Sequence, residues 1–398
     1  LRPGHLRTIE DLRDISGKRI LVRCDLNVPL DGGRITDDLR IRASLPTLHE
    51  LLAAGAGLVV CSHLGRPKGK IVEGLRLTPV ADRLTELLEV EVNALGAVVG
   101  AEAHAACDHL EPGEVVLLEN LRFEPGEEKN DPGFAEELAS LADVYIDDAF
   151  GAAHRAHASV VGVAERLPSA AGRLMQKEVE VLSRLLLDAD RPFVAILGGA
   201  KVSDKLSAIN SLTDRVDALL IGGAMAFSFL AASGVSVGKS LVESDRFDEV
   251  KAAAASASKQ GVLIQLPEDV VVAPEPTIEA RRTTVRADDI PRDQMGLDIG
   301  PKTVEEFART IADAKTLFWN GPMGMFELEP FSAGTRGVAH AVAGASAYSV
   351  VGGGDSIAAL ARFGLLDSID HLSTGGGASL EFIEGRELPG VAVLMEER

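Results

Sequence analysis

Short runs of consecutive apolar residues alternate along this chain with stretches whose apolar residues recur every three to four positions. The strand-length stretches built on such runs include Arg19–Val22, Leu58–Cys61, Val115–Leu118, Val144–Ile146, Phe193–Leu197, Ala218–Ile221, Lys315–Phe318, Val350–Val351 and Leu372–Thr374, some with a polar residue at an end. Unbroken apolar runs of strand length suit strands buried on both faces, and their alternation with helical patterns predicts an α/β fold with parallel sheets. Helices are predicted from Asp37 onward through Leu45, Leu48, Leu51 and Leu52, and from about Thr78 to Glu89. Met175, Val179, Leu182 and Leu186 share one face of a central helix that Pro192 closes. After the run ending at Leu197, Gly198-Gly199 predicts a turn into a new helix with Lys201 and Lys205 on its first turns. Trp319-Asn320-Gly321-Pro322 reads as a turn after its strand.

At 398 residues the chain exceeds one ordinary core, so two domains are expected. A composition 46% hydrophobic and 25% charged is that of a globular protein. The net charge of −20 argues against nonspecific nucleic-acid or anionic-membrane binding. It leaves room for a small anionic ligand, because a local arginine cluster outweighs distant charge. Cys24, Cys61 and Cys107 are odd in number and lack C-x-x-C spacing, which points to a reducing compartment. Cys61-Ser62-His63 lacks further ligands at zinc spacing. No apolar stretch is long enough to span a bilayer, and LRPGHLRTIEDLRDI has no leader-like apolar core. A cytoplasmic location is expected.

In parallel sheets ligands sit beyond the carboxyl ends of the strands. In the first half these ends carry positive charge. One strand leads into Arg23-Cys24-Asp25-Leu26-Asn27, the next into His63-Leu64-Gly65-Arg66, then Glu119-Asn120-Leu121-Arg122, then Asp147-Asp148 with His154-Arg155 beyond. Arg40, near a helix start, joins the set. Guanidinium groups grip phosphate and carboxylate bidentately, so the set reads as a pocket for a small, multiply charged anion. Asp25 and Asn27 suit hydroxyl groups on it. Singly, each has a plainer reading: a solvated arginine, an Asx turn at Asp25, helix caps at Asp147 and Asp148, a packed His63.

In the second half the strand ends carry paired or triple glycines: Gly198-Gly199, Gly222-Gly223, Gly352-Gly353-Gly354 and Gly375-Gly376-Gly377. Glycine admits a ligand close to the backbone, and a helix start offers free N–H groups, which together suit a nucleotide polyphosphate. Any one pair is also a plain strand-to-helix turn. Asp355-Ser356 suits Mg²⁺ or an N-cap. Gly234-Val-Ser-Val-Gly238-Lys239-Ser240 is one residue short of a P-loop, and no strand-linked G-x-G-x-x-G with its acidic partner is present. A dinucleotide-dependent dehydrogenase is therefore poorly supported, and a non-enzymatic two-lobed binding protein would lack ATP-dependent turnover.

The stretches RCDLNVPLDGGRITDDLRI, SHLGRPKG, ENLRF, DDAFGAAHRAH, GGAKVSDKL, WNGPMGMFE, GGGDS and STGGGASLE, in that order, resemble the phosphoglycerate kinase family across almost the whole chain. The resemblance implies two Rossmann-like parallel-sheet domains joined by a central helix, with the C-terminal segment returning to the N-terminal domain. The implied bounds are 1–172 with 388–398 for the acid-binding domain, 173–187 for the helix and 188–387 for the nucleotide domain. It implies reversible phosphoryl transfer between 1,3-bisphosphoglycerate and ADP, giving 3-phosphoglycerate and ATP, by a Mg²⁺-dependent monomer without nucleic-acid or membrane partners. Asp25, Leu26, Asn27, Arg40, His63, Leu64, Gly65, Arg66, Arg122 and Arg155 match the acid-binding stretches. Lys201 and Lys205 match the phosphate lysines, and Gly296, Asn320 and Glu327 the adenosine contacts. Gly222, Gly223, Gly353, Gly354 and Ser356 belong with the nucleotide glycines, and Asp355 with the metal. Cys24 stands where the family more often has an apolar residue. A carboxylate acceptor with a pKa of roughly 4 or below needs no general base. The reaction needs positive charge placed in advance, from Lys201, Arg40 and the backbone at Gly375 and Gly376, and domain closure that excludes water.

Overall fold

The computed structural model describes residues 4–396, so the expected outer bounds at 1 and 398 lie outside the described residues. Contacts divide the chain into two compact units, one running to Glu180 and resuming at Arg386, the other Val181–Gly385. The first holds β1 (Arg19–Cys24), a small hairpin of β2 (Leu30–Asp31) and β3 (Arg34–Ile35), β4 (Gly57–Cys61), β5 (Val92–Ala94), β6 (Val115–Leu117), β7 (Val144–Asp148) and β8 (Ser169–Ala171). Six of these form one parallel sheet in the order β5-β6-β4-β1-β7-β8. β1, β4, β6 and β7 are buried along nearly their whole length, which is why each holds an apolar run, broken only by Arg23 in β1 and by Asp147 and Asp148 at the end of β7. Ile20, Val22, Leu58 and Val60 pack in one core with Ile41, Leu48 and Leu51 of the helix Leu39–Ala53.

The second unit holds β9 (Phe193–Leu197), β10 (Ala218–Ile221), β11 (Leu263–Gln265), β12 (Asp269–Ala273), β13 (Thr283–Arg286), β14 (Met295–Ile299), β15 (Thr316–Asn320), β16 (Tyr348–Gly352) and β17 (His371–Ser373). Its main sheet is parallel, in the order β11-β10-β9-β15-β16-β17. Counted along the sheet this is the doubly-wound order 3-2-1-4-5-6. A separate antiparallel sheet, β13-β12-β14, lies outside the parallel-sheet expectation. The connections leaving the neighbours β1 and β7 in the first unit, and β9 and β15 in the second, run to opposite sides of their sheets. Such switch points leave a crevice at the strand ends.

The helix Arg173–Leu187 starts in the first unit and ends in the second. Met175, Val179, Leu182 and Leu186 are buried along one stripe, as their spacing predicts. Its start is tied down by Asp148, which accepts from the Leu174 amide at 2.8 Å, and by Arg173, which pairs with Glu10 and Glu50. The C-terminal segment returns to the first unit: the short helix Pro389–Ala392 donates from Gly390 N to Ala153 O at 2.9 Å, and Met395 bridges to Leu6.

Three local expectations are corrected. Lys201 and Lys205 do not lie on a helix, because the helix begins at Leu206. Ser203 is held by Glu243 through its amide (2.9 Å) and hydroxyl (2.7 Å), which keeps residues 201–205 in turns. β15 continues through Trp319 and Asn320, and the turn falls at Gly321, whose φ of +99° suits glycine. β7 runs on through Asp147 and Asp148, so both carboxyls sit fully buried in a strand.

Burial pushes Asp147 up to about 7 and Asp148 up to about 8. In the unfolded chain both ionise near 4, so between pH ~4 and ~8 the folded state holds more protons and stability falls as pH rises. His157, held down at about 4 by burial and by Arg122, acts in the opposite sense, but its contribution is complete near pH ~6.5. Asp148→Asn, which keeps an acceptor for Leu174, is therefore expected to flatten the decline in urea midpoint between pH ~6.5 and ~8. An unchanged slope would show that Asp148 is not the source.

Candidate active site: an arginine cluster and a glycine-lined cleft

At the switch point of the first sheet, Asp25 follows β1 and accepts a hydrogen bond from Arg40 Nη1. Arg40 stands on the first turn of its helix, whose leading amide, Leu39 N, is bonded by Asp37 at 2.8 Å. Gly151, just past β7, lies against this pair so closely that a Cβ there would overlap Asp25 Oδ2. Gly151→Ala is expected to displace Asp25 and to cost stability on the scale of mild overpacking, about 1–3 kcal/mol. The urea unfolding midpoint of the variant would check the loss.

The loop after β4 is pinned from three sides. Asn27 Oδ1 accepts from Gly65 N at 2.9 Å, Asn120 bonds both backbone groups of Leu64, and Arg122 Nη1 donates to Gly65 O at 2.7 Å. Leu26 and Leu64 themselves are core side chains, so only their backbones face the loop edge. Arg122 is buried, its Nε makes no hydrogen bond, and its nearest carboxylate oxygen, on Glu128, is 3.4 Å away. Burial, with Arg155 nearby, presses its pKa down. A buried arginine so weakly neutralised suits an anionic partner. His63 is buried beside Arg23, Arg155 is half-buried with His154 Nε2 at 3.0 Å, and Arg66 stays on the exposed rim.

In the second unit, glycines let the two switch-point strands meet. Gly198 N donates to Asn320 O and Gly199 N to Pro322 O, both at 3.0 Å. Beyond them opens a cleft of about 780 Å³, walled in part by Gly199, Gly223, Phe227, Gly296, Met323, Glu327 and Asp355. Gly296 is backed by the Phe227 ring, and its amide is held by Ser240 Oγ at 2.9 Å. Gly222 is buried against Met323 and serves packing. Glu327 is exposed at the wall.

Beyond β16, Gly353 (φ +91°) turns the chain into the helix Gly354–Phe363, with Asp355 exposed in its first turn. Ser356 is buried and accepts from Gly321 N at 2.7 Å, so its hydroxyl braces the turn. Lys205 donates to Asn320 Oδ1, so Asn320 is placed at the lysine rather than on the cleft wall. Burial lowers the Lys205 pKa, while Asp204 and Asp355 pull it back up. Lys201 is exposed on the turn before it. Gly375 and Gly376 precede the helix Gly377–Ile383.

The family model for phosphoglycerate kinase matches residues 9–386. The chain belongs to the phosphoglycerate kinase family. It is 56% identical over 392 residues to the phosphoglycerate kinase of Thermomicrobium roseum, covering 98% of this chain and 100% of that one. It is 57% identical over 390 residues to that of Rubrobacter xylanophilus, covering 98% of each. The structure of phosphoglycerate kinase from Coxiella burnetii superposes with a TM-score of 0.88 at 41% identity, covering 98% of this chain and 99% of that one. The crystal structure of the Pyrococcus horikoshii enzyme gives 0.85 at 34%, covering 98% of each. No described helix is long and apolar enough to cross a membrane.

For a phosphoglycerate kinase, a metal held by one carboxylate plus substrate phosphates and water is the arrangement Mg²⁺ favours. Asp355, exposed at a helix start on the cleft wall, is a single carboxylate of the kind that could serve as such a ligand. The structure also brings in residues that are not among the candidate site residues. Asn120 and Ser240 hold the loops that carry Leu64 and Gly296, and Arg23 lies 3.1 Å from His63. In the sequence Arg23 shows as a charge at the end of an apolar run, heading the stretch RCDLNV.

Proposed function

We propose that this phosphoglycerate kinase family member transfers a phosphoryl group reversibly between 1,3-bisphosphoglycerate and ADP, giving 3-phosphoglycerate and ATP, by direct in-line transfer. The acid is assigned to the domain 1–172 with 388–398, the nucleotide to 188–387, and 173–187 is the joining helix. The observation that carries this reading is the pairing of unlike strand ends. Arg122 is buried with its ion-pair carboxylate, on Glu128, 3.4 Å away at the strand ends of one sheet, and a glycine-walled cleft opens at those of the other.

Arg122, Arg155, Arg66 and His63 bind the phosphate end of the acid. Asp25 and Asn27 orient its hydroxyl and carboxyl end beside Arg40. Gly296 and the surrounding apolar wall receive the base, Glu327 the ribose, and the Gly353-Gly354 turn the phosphates. Asp355 would hold Mg²⁺, which would supply positive charge to neutralise the nucleotide phosphates. No general base is required, because the acceptor is already a carboxylate at neutral pH. Lys201 and Arg40, with the Gly375 and Gly376 amides, supply positive charge to the transferring group.

Because one ligand belongs to each unit, direct transfer requires the units to bring them together, which also shields an acyl phosphate from water. The protein acts as a cytoplasmic monomer on small molecules, without nucleic acid. A coupled assay of ATP- and Mg²⁺-dependent phosphorylation of 3-phosphoglycerate tests the activity; its absence would overturn the reading. Small-angle scattering is expected to show a smaller radius with both ligands than with either alone.

A further inference from the structure

Arg23 is among the largest wholly buried side chains of the described residues, and it sits in β1 between apolar neighbours. It has no route to solvent and therefore does not bind the substrate itself. Its contacts form a directed chain. Nε donates to Ser159 Oγ at 2.9 Å, Nη1 to Cys24 O, and Nη2 lies 3.1 Å from Nδ1 of His63. Ser159 in turn faces Glu127, also fully buried, with its hydroxyl 2.6 Å from Oε1 and its amide 3.0 Å from Oε2.

A guanidinium donates and never accepts, and this settles every proton along the chain. Ser159 Oγ accepts from Arg23, so its own proton points to Glu127. Glu127 accepts twice from Ser159 and is the buried anion that balances Arg23 across the serine. At the other end, Nδ1 of His63 must accept, which leaves the ring proton on Nε2. Arg23, Arg122 and Arg40 all act on His63 as like charges, and burial also disfavours an imidazolium there. The Tyr145 hydroxyl, 2.6 Å from Ser159 O, fixes the backbone at the middle of the chain.

Building on the assignment of His63 to the acid substrate, we infer that Arg23, balanced by Glu127 through Ser159, is a positioning residue that holds His63 as the neutral Nε2–H tautomer. His63 then meets the phospho-acid as a hydrogen-bond donor of fixed orientation. A purely structural ion pair would tie β1 to the 127–159 region without setting which ring nitrogen carries the proton.

The test is ¹⁵N NMR of the histidine side chains in the full-length protein, with the His63 signals assigned by their loss in His63→Gln. Wild type at pH 7 is expected to show Nδ1 unprotonated and Nε2 protonated. Arg23→Lys keeps a cation opposite Glu127 but loses the fork that reaches His63. It is expected to mix the tautomers and raise KM for 3-phosphoglycerate about tenfold, the scale of one weakened hydrogen bond to a charged group, with KM for ATP within about twofold. A wild-type Nδ1–H tautomer or an imidazolium at pH 7 would overturn the inference, and that spectrum needs no variant to fold. An unchanged tautomer in folded Arg23→Lys would also overturn it. If the tautomer is as inferred but saturating 3-phosphoglycerate leaves the His63 signals unmoved, what falls is the placement of the acid at His63.

Discussion

Replacing Lys201 with alanine is expected to lower kcat by about two to three orders of magnitude, the loss typical of one preorganised donor to developing charge. The structure makes this substitution clean. Lys201 is exposed on the turn after Gly198-Gly199, and it acts on Glu243 as a nearby charge without a close ion pair among the described residues. Its removal leaves no buried partner stranded, so the unfolding midpoint should move little. Lys205 differs: it is partly buried, bonded to Asn320 and tied into the end of β15, so its replacement would disturb both structure and chemistry. If Lys201 acts on the transferring group, kcat and kcat/KM fall together, because the interaction is made only in the transition state. Lys201→Arg should recover only part of the rate, since a planar fork does not reproduce a compact ammonium. A Lys201→Ala enzyme with near-normal kcat in the coupled assay would remove the residue from the mechanism.

Arg40→Ala is expected to cost kcat a similar two to three orders of magnitude, with a second effect that Lys201 does not have. Arg40 is the cation that answers the buried Asp25 carboxylate, and Gly151 closes over both. Without Arg40 the carboxylate stands uncompensated at the mouth of the site, so a bound phospho-acid meets a negative charge instead of a neutralised pair. KM for 3-phosphoglycerate should therefore rise along with the fall in kcat, whereas KM for nucleotide stays close to wild type. Arg40 is partly exposed, which moderates the penalty to folding compared with a deeply buried pair. Arg40→Lys, which retains the charge and loses the second arm, separates electrostatic from geometric loss. Wild-type kcat in Arg40→Ala would show that positive charge reaches the transferring group from elsewhere.

Much of the architecture was legible because buried parallel strands announce themselves locally. Ile20 to Val22 and Phe193 to Leu197 are covered on both faces, so selection for burial acts on each successive residue and leaves an unbroken apolar run. The chemistry was legible for a related reason: ligands meet such sheets at their carboxyl ends, and there the chain switches from apolar residues to arginines in one half and glycines in the other. Errors came where a distant residue overrode a local pattern. Lys201 and Lys205 have the spacing of one helical face, yet Glu243 captures Ser203 and holds the segment in turns. The turn signal in Asn320-Gly321-Pro322 is real, but β15 pairs on both sides with β9 and β16 through Asn320 and defers the turn to Gly321. β13, with the exposed sequence Thr283-Thr284-Val285-Arg286, has no apolar run to reveal it; its place comes from pairing with β12.

By itself, then, the sequence determined where nine of the parallel strands run, which strand ends are cationic and which are glycine-lined, and that the two kinds belong to different halves of the chain. These properties depend on each residue's own burial or on its immediate neighbours. Only the tertiary structure decided the strand order, and with it the switch points that bring Asp25 beside Gly151 and Gly198 beside Asn320. It alone joined Glu127, Ser159, Arg23 and His63, residues far apart in the chain, into one hydrogen-bonded line. The direction of that line follows from a guanidinium having donors and no acceptor, a constraint that acts only once folding has excluded water from around Arg23.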